Sequence, residues 1–206
     1  MRSLVKPNDP VLVKIAAKIP VKEITSEETK KDIKDLLDVA YGHRKERDKP
    51  TAVGLAAPQI GISKQIIAVD TGADGKGKLS DLQVFINPKI IWQLKKNEQW
   101  YEGCWSTGRV CGIVSRPYEV KVKAYTPDGK SIEKKYYGYI ARIFQHEIDH
   151  LNGIEFVSHI KDDNDLHWVE ENEFPKYRNN EAWRNWPNKC ERKKWEKIKG
   201  AILETT

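Results

Sequence analysis

Cysteine is scarce in this 206-residue chain: Cys104, Cys111 and Cys190 are the only three, and no two stand at Cys-x-x-Cys spacing. An odd number without that spacing argues against a disulfide framework and for a reducing compartment, where a free thiolate can bind metal. Long apolar runs are missing too, and nothing approaches the ~20 residues a membrane span needs. The N-terminus interleaves Arg2, Lys6 and Asp9 with apolar residues and has no signal-like core, so a cytoplasmic protein with no membrane partner is expected. No internal repeat is present. The one stretch that nearly spells a phosphate-binding loop, Gly72 to Leu79, has Leu79 where a Ser or Thr would bind Mg²⁺. A strand-like Asp81 to Pro88 follows it instead of a helix, so it reads as a flexible Gly/Lys loop. The net charge of +6 is not gathered into one basic patch, which speaks against specific DNA binding. What remains, with 39% hydrophobic content, is enough for one domain with a sizeable core plus an appendage.

The most informative stretch is Gln145-His146-Glu147-Ile148-Asp149-His150. On a helix, residues i and i+4 share a face, so His146 and His150 can hold one cation while Glu147 handles the proton of an activated water. The same residue types also occur on plain solvated helix faces. Context favours the metal reading: Ile140, Ile143, Phe144 and Leu151 recur at three-to-four spacing and Gly153 is a fitting C-cap, which predicts a half-buried helix.

A catalytic metal usually takes three protein ligands and keeps one position open. A third histidine at metzincin spacing is excluded, because Phe156 stands there and His159 is out of register. Glu170, Glu171 and Glu173 offer a downstream carboxylate, although their acidic run reads better as a solvated surface. Cys104, in Tyr101-Glu102-Gly103-Cys104-Trp105-Ser106, is the other candidate, weighed against the ordinary role of a lone cysteine as a small buried hydrophobe. A third island, Thr51 to Gly61, is small and apolar, which permits close backbone approach. Taken alone it reads as a tight helix-to-strand connection with Gln59 as a surface residue.

In order, the three islands resemble the motifs of the peptide deformylase family: a Gly-rich stretch ending Ala56-Ala57-Pro58-Gln59, then Glu102-Gly103-Cys104-Trp105-Ser106, then Gln145 to His150. The likeness runs from about Pro7 through Gly153. It implies a metallo-hydrolase that removes the N-formyl group from the formylmethionine of nascent polypeptides and releases formate. It further implies Cys104, His146 and His150 as metal ligands, with Glu147 as the acid/base. Gln59 and the backbone N–H of Trp105 would stabilise the oxyanion, and Gly54 and Ile143 would bind substrate. Glu102 would hold an arginine or orient a ligand. The likeness points to Fe²⁺, and the same donors suit Zn²⁺, Ni²⁺ or Co²⁺. The implied partners are N-formylmethionyl peptides, pairing near Gly54 by strand addition, and the ribosome, through a basic C-terminal stretch. Three departures from the family pattern stand out. Ala52 replaces a glycine, Trp105 a leucine, and Ser106 to Arg109 lacks a proline; none removes a ligand or the base.

For the fold, the sequence predicts α+β: antiparallel or mixed sheets around the central His-Glu helix, with a C-terminal extension. Residues 1–160 form the expected catalytic domain and 161–206 the extension. A helix is predicted from Ile24 to Lys45, with Thr25 and Glu28 as a capping box. Strands are predicted at Gln65 to Asp70, Val84 to Asn87, Lys89 to Leu94, Tyr118 to Thr126 and Ser131 to Tyr137, the last two joined by a turn at Pro127 to Lys130. The extension holds Trp168, Trp183, Trp186 and Trp195, rings expected to pack on the domain or meet a partner. Its charge divides: from Ile160 to Pro175 one Lys or Arg stands against six acids, and from Lys176 to Thr206 nine stand against four. Glu191 to Leu203 could form a basic helix with Trp195, Ile198 and Ile202 on one side.

Overall fold

The computed structural model describes residues 2–42 and 52–200; the expected helix end at Lys45, Thr51 of the small-residue island, and Ile202 and Leu203 lie outside the described residues. Four helices and eight strands follow in the order α1 (Glu27–Ala40), β1 (Gly54–Ala56), β2 (Ile66–Asp70), β3 (Leu82–Gln93), β4 (Asn97–Gly103), β5 (Val110–Pro117), β6 (Glu119–Tyr125), β7 (Ser131–Tyr137), α2 (Gly138–Leu151), β8 (Leu166–Trp168), α3 (Phe174–Arg178) and α4 (Arg192–Gly200). All pairings between these strands are antiparallel, in a five-stranded sheet β1-β2-β3-β6-β7 and a three-stranded sheet β4-β5-β8. The architecture is α+β.

Local chemistry corrects the sequence reading in three places. The α1 cap is Ser26, whose hydroxyl accepts from the Thr29 N–H at 3.2 Å; Glu28 instead pairs with Lys64, so the Thr25–Glu28 box does not form. The two strands expected either side of Pro88 are one strand, β3, bent by a register shift between Ile86 and Lys89. At that bend Asn87 has φ +49°, and its amide exchanges hydrogen bonds of 2.9 and 2.8 Å with the Ile19 backbone. The island before Gly61 is an edge strand, β1, followed by a 3-10 turn over Ala57–Ile60 rather than a bare connection.

α2 lies between the two sheets, against β1, β2, β3, β6 and β7 on one side and β5 on the other. Its apolar residues are the reason. Phe144 stacks on Tyr136 at 4.1 Å and meets Phe85 edge-on at 4.8 Å, while Ala141, Ile143 and Leu151 join the same core. Beyond Asn152 the chain turns at Gly153, φ +70°, where a Cβ would lie 2.6 Å from the Val13 backbone, so only glycine fits. α1 covers the opposite face of the five-stranded sheet through Leu36 and Ala40. The chain after Ile160 returns to the three-stranded sheet, with Trp195 and Cys190 on Val110, Val114 and Phe156. Tyr177, Trp183 and Trp186 form a second cluster with Trp100 and Tyr101.

Candidate metal centre

Cys104, His146 and His150 come together: one donor atom from each lies within 4.8 Å of the other two. The helix supplies the two imidazoles one turn apart, their ring centroids 5.0 Å from each other. Cys104 follows β4 as the residue before a 3-10 turn over Trp105–Thr107, with its sulfur 3.3 Å from His150 Nε2 on the helix. A thiolate and two imidazoles are the donors of a three-ligand catalytic site with one position left open, and their convergence in a buried place fits a divalent ion of the Fe²⁺ or Zn²⁺ kind. Glu170, Glu171 and Glu173 do not join them: Glu170 pairs with Arg109, Glu173 caps Glu170, and Glu171 lies on the rim of the cleft.

The polar groups behind the three donors form one network. Glu102 accepts from Arg116 Nε at 2.6 Å and Nη2 at 2.9 Å, from Arg142 Nη1 at 2.8 Å, and meets His146 Nδ1 at 2.9 Å. That last contact leaves His146 Nε2 as the ring nitrogen free to bind. Arg116 also reaches Asp149 at 2.7 Å, and Arg142 donates to the carbonyls of Val114 and Glu98. Burial opposes the Glu102 charge, but the guanidiniums and His146 overcome it and hold its carboxyl well below the usual range. Burial likewise opposes a charged His146, yet Cys104 and Glu102 raise its pKa well above 6.5. For His150, burial dominates and the His146 and Arg116 charges add to it, so its pKa falls well below 6.5.

Glu147 is 4% exposed, its Oε2 makes no hydrogen bond among the described residues, and burial pushes its pKa up to about 7. The small-residue island makes room for it: a Cβ on Gly54 would lie 2.4 Å from Glu147 Oε1 and 2.7 Å from the Ile143 side chain. Gln59 is buried, not a surface residue. Its Oε1 accepts from the Ala56 N–H at 2.8 Å, and its Nε2 donates to Cys104 Sγ and Ser106 Oγ at 3.1 Å each. The Trp105 N–H opens its 3-10 turn, where no intrahelical acceptor exists, and its ring is exposed.

Gln59, Glu102, Cys104, Trp105, His146 and Glu147 line a cleft of about 1290 Å³, together with Ala52, Gly54 and Ile143. β1 is the edge of its sheet and β4 the edge of the other, and both border the cleft. Sequence reasoning missed Arg116, Arg142 and Asp149. Arg142 stands four residues before His146 and so could have been placed on the ligand face; Arg116 sits in a strand with no motif around it. The contribution of the extension to the cleft, through Phe174, Arg178 and Trp183, had no signal in the sequence.

Residues 1–165 match the family model described as polypeptide deformylase. A relative from Halothermothrix orenii named peptide deformylase is 42% identical over 155 residues, covering 75% of this chain and 90% of its own length. Among solved structures, the Met-Ala-Ser-bound class I type b peptide deformylase of Acinetobacter baumannii aligns with a TM-score of 0.68 at 32% identity, over 76% of this chain and 96% of that one. The peptide deformylase of Thermotoga maritima aligns with a TM-score of 0.67 at 33% identity, over 79% of this chain and 99% of that one.

Proposed function

The chain belongs to the polypeptide deformylase family, metal-dependent hydrolases that remove the N-formyl group from nascent polypeptides, and from that premise we propose that Cys104, His146 and His150 hold the metal and Glu147 moves the protons. The observation that carries this reading is a buried carboxylate oxygen without a partner among the described residues, Glu147 Oε2, beside three converging donors. Bound there, a divalent metal supplies Lewis acidity, making water a competent nucleophile at neutral pH. Fe²⁺ is the proposed working ion, with Zn²⁺, Ni²⁺ and Co²⁺ suited to the same donors.

The remaining chemistry belongs to the chain. Glu147, with a pKa near neutrality, takes a proton from the attacking water and returns it to the amine as the C–N bond breaks, freeing formate. Negative charge developing on the formyl oxygen is met by Gln59 Nε2 and the Trp105 N–H, one such donor being worth ~10²-fold or more. Gln59 is held for that task by the Ala56 N–H, which fixes its carbonyl end. Glu102 holds His146 in the tautomer that presents Nε2. The peptide adds to the β1 edge at Gly54 with its methionine against Ile143; the Acinetobacter relative is bound to a peptide, Met-Ala-Ser.

Residues 1–160 are proposed as the catalytic unit and 161–206 as an extension, in the cytoplasm; no helix among the described residues is long and apolar enough to cross a membrane. A ribosome contact through α4 is proposed for the side bearing Lys193 and Lys197. Other basic groups there are engaged within the chain: Arg192 with Asp163, Lys194 over Trp168, and Lys199 with Glu155.

The test is formate release from formyl-Met-Ala-Ser by an anaerobic sample with metal analysis. Glu147→Gln should lower kcat ~10²-fold or more while metal stays near one per chain. A variant keeping more than about a tenth of wild-type kcat would remove the proton-transfer role.

A further inference from the structure

The family match ends at residue 165, yet the cleft does not: α3 and the turn after it form part of its wall. Three rings fix that wall. Tyr177 and Trp183 are fully buried, Tyr177 edge-on to Tyr101 at 5.4 Å and Trp183 tilted against Trp100 at 5.7 Å, while Trp186 closes on Tyr177 at 5.1 Å. Asn180 and Glu181, both in the left-handed region at φ +49° and +53°, turn the chain so that α3 and Trp183 can both reach β4. The helix register then sets Arg178 four residues after Phe174, and its guanidinium lies over that ring at 5.4 Å.

Arg178 is exposed and lines the cleft, and among the described residues it makes no ion pair. The Gly/Lys loop contributes Lys76 and Lys78 to the same cleft. That loop is anchored: Asp74 accepts from the Lys76 and Lys78 N–H groups at 2.7 and 3.0 Å, and Gly75 packs on the Tyr139 ring. Burial raises the Tyr139 and Tyr101 pKa values and the Arg178 charge works against it at both, so the Arg178 charge acts on the ring against which Gly75 of the loop packs. Other charges on the cleft are balanced elsewhere: Arg109 by Glu170, Glu181 by Arg184, Arg142 by Glu102. Glu171 and the Asp74 carboxylate offset part of the positive charge, and three cations face them.

We propose that α3 is the outer wall of the substrate cleft and that Arg178, with Lys76 and Lys78, favours formylated peptides carrying an acidic side chain downstream of the formylmethionine. This rests on the deformylase reading of the cleft. Cations from two segments line the cleft that such a carboxylate enters, and α3 is preorganised by its rings rather than ordered on binding. The shared chemistry is a carboxylate, which a short peptide also carries at its C-terminus, so the probes must separate the two.

The experiment uses the metal-loaded full chain and C-terminally amidated formyl-Met-Ala-Asp and formyl-Met-Ala-Asn, with a second pair bearing Asp or Asn directly after methionine. A free-acid formyl-Met-Ala-Asn arm reports the chain-terminal carboxylate. Asp over Asn should raise kcat/KM about three- to five-fold in at least one pair, through KM, as expected for an exposed charge contact. The ratio should shrink as salt rises. Arg178→Glu should abolish or invert it, Arg178→Gln should reduce it and Arg178→Lys should retain it. Calorimetric binding of the amidated products, Met-Ala-Asp and Met-Ala-Asn, gives the same ratio without turnover. Equal KM values for Asp and Asn peptides, a ratio unchanged in both Arg178→Glu and Arg178→Gln, or a preference seen only with the free-acid arm would each overturn the proposal while leaving the deformylase reading intact. An acid preference in binding without release of formate from any peptide would sink the catalytic reading and support the cleft assignment.

Discussion

Two buried clusters meet at β4, and they are held in opposite ways. Around Glu102 the cohesion is ionic: one carboxylate serves Arg116, Arg142 and His146, and Arg116 passes on to Asp149. Around Tyr177 it is aromatic, with Trp100, Tyr101, Trp183 and Trp186 in contact and one buried histidine, His167, touching the Tyr177 hydroxyl at 2.9 Å. The ionic cluster fixes direction, because every donor must meet its acceptor or remain buried and unpaired. The aromatic cluster fixes position by area and shape and tolerates more change. A site that must orient His146 to a fraction of an ångström uses the first; a wall that must only stay in place uses the second.

The largest effect should come from breaking the ionic side. Glu102→Gln removes the carboxylate that pairs with Arg142 and leaves Arg116 with Asp149, a loss of ~3–5 kcal/mol by analogy with broken buried pairs. It also frees the His146 ring, which should weaken metal affinity ~10–100-fold. Denaturant melts and metal titration of the same variant check both, and a variant with wild-type metal affinity would show that Glu102 does not orient His146. Trp183→Ala should cost a similar ~3–5 kcal/mol by removing a fully buried ring, but with metal content near one per chain. If this variant lost its metal, the two clusters would be one cooperative unit. The smallest effect is expected on α4: Lys193→Glu with Lys197→Glu should leave melting unchanged and reduce the salt slope of ribosome co-sedimentation by about one for each phosphate no longer neutralised. An identical slope would remove the ribosome from this helix.

The two regions also differed in how readable they were. The His146–His150 pair and Glu147 are written in helical spacing, and Ile143, Phe144 and Leu151 mark a buried face of α2, with Ile140 only partly buried and burial reaching beyond the half expected. Cys104 needed the ordered likeness of three motifs, since spacing alone cannot separate a ligand thiol from a buried one. β4 and β5 were not expected from the sequence: polar Asn97, Glu98 and Gln99 open β4 without alternation, and the Tyr101 to Ser106 motif closes it. The route of the extension was not legible, because ring packing is set by tertiary contact and leaves no period in sequence. The wall that carries Arg178 is closed by Trp183 through a turn at Asn180 and Glu181, whose left-handed conformation their identities do not announce.

The account stands on Cys104, His146 and His150 sharing one ion that deformylation needs. The direct measurement is an anaerobic titration of metal-free protein with Fe²⁺, reading formate release from formyl-Met-Ala-Ser and alkylation of Cys104 by peptide mass spectrometry on the same aliquots. A thiolate in the coordination sphere is shielded from alkylation, so activity should rise and Cys104 labelling should fall together, both saturating at one ion per chain. Formate release at full rate without metal, or equal labelling of Cys104 along the whole titration, would contradict it.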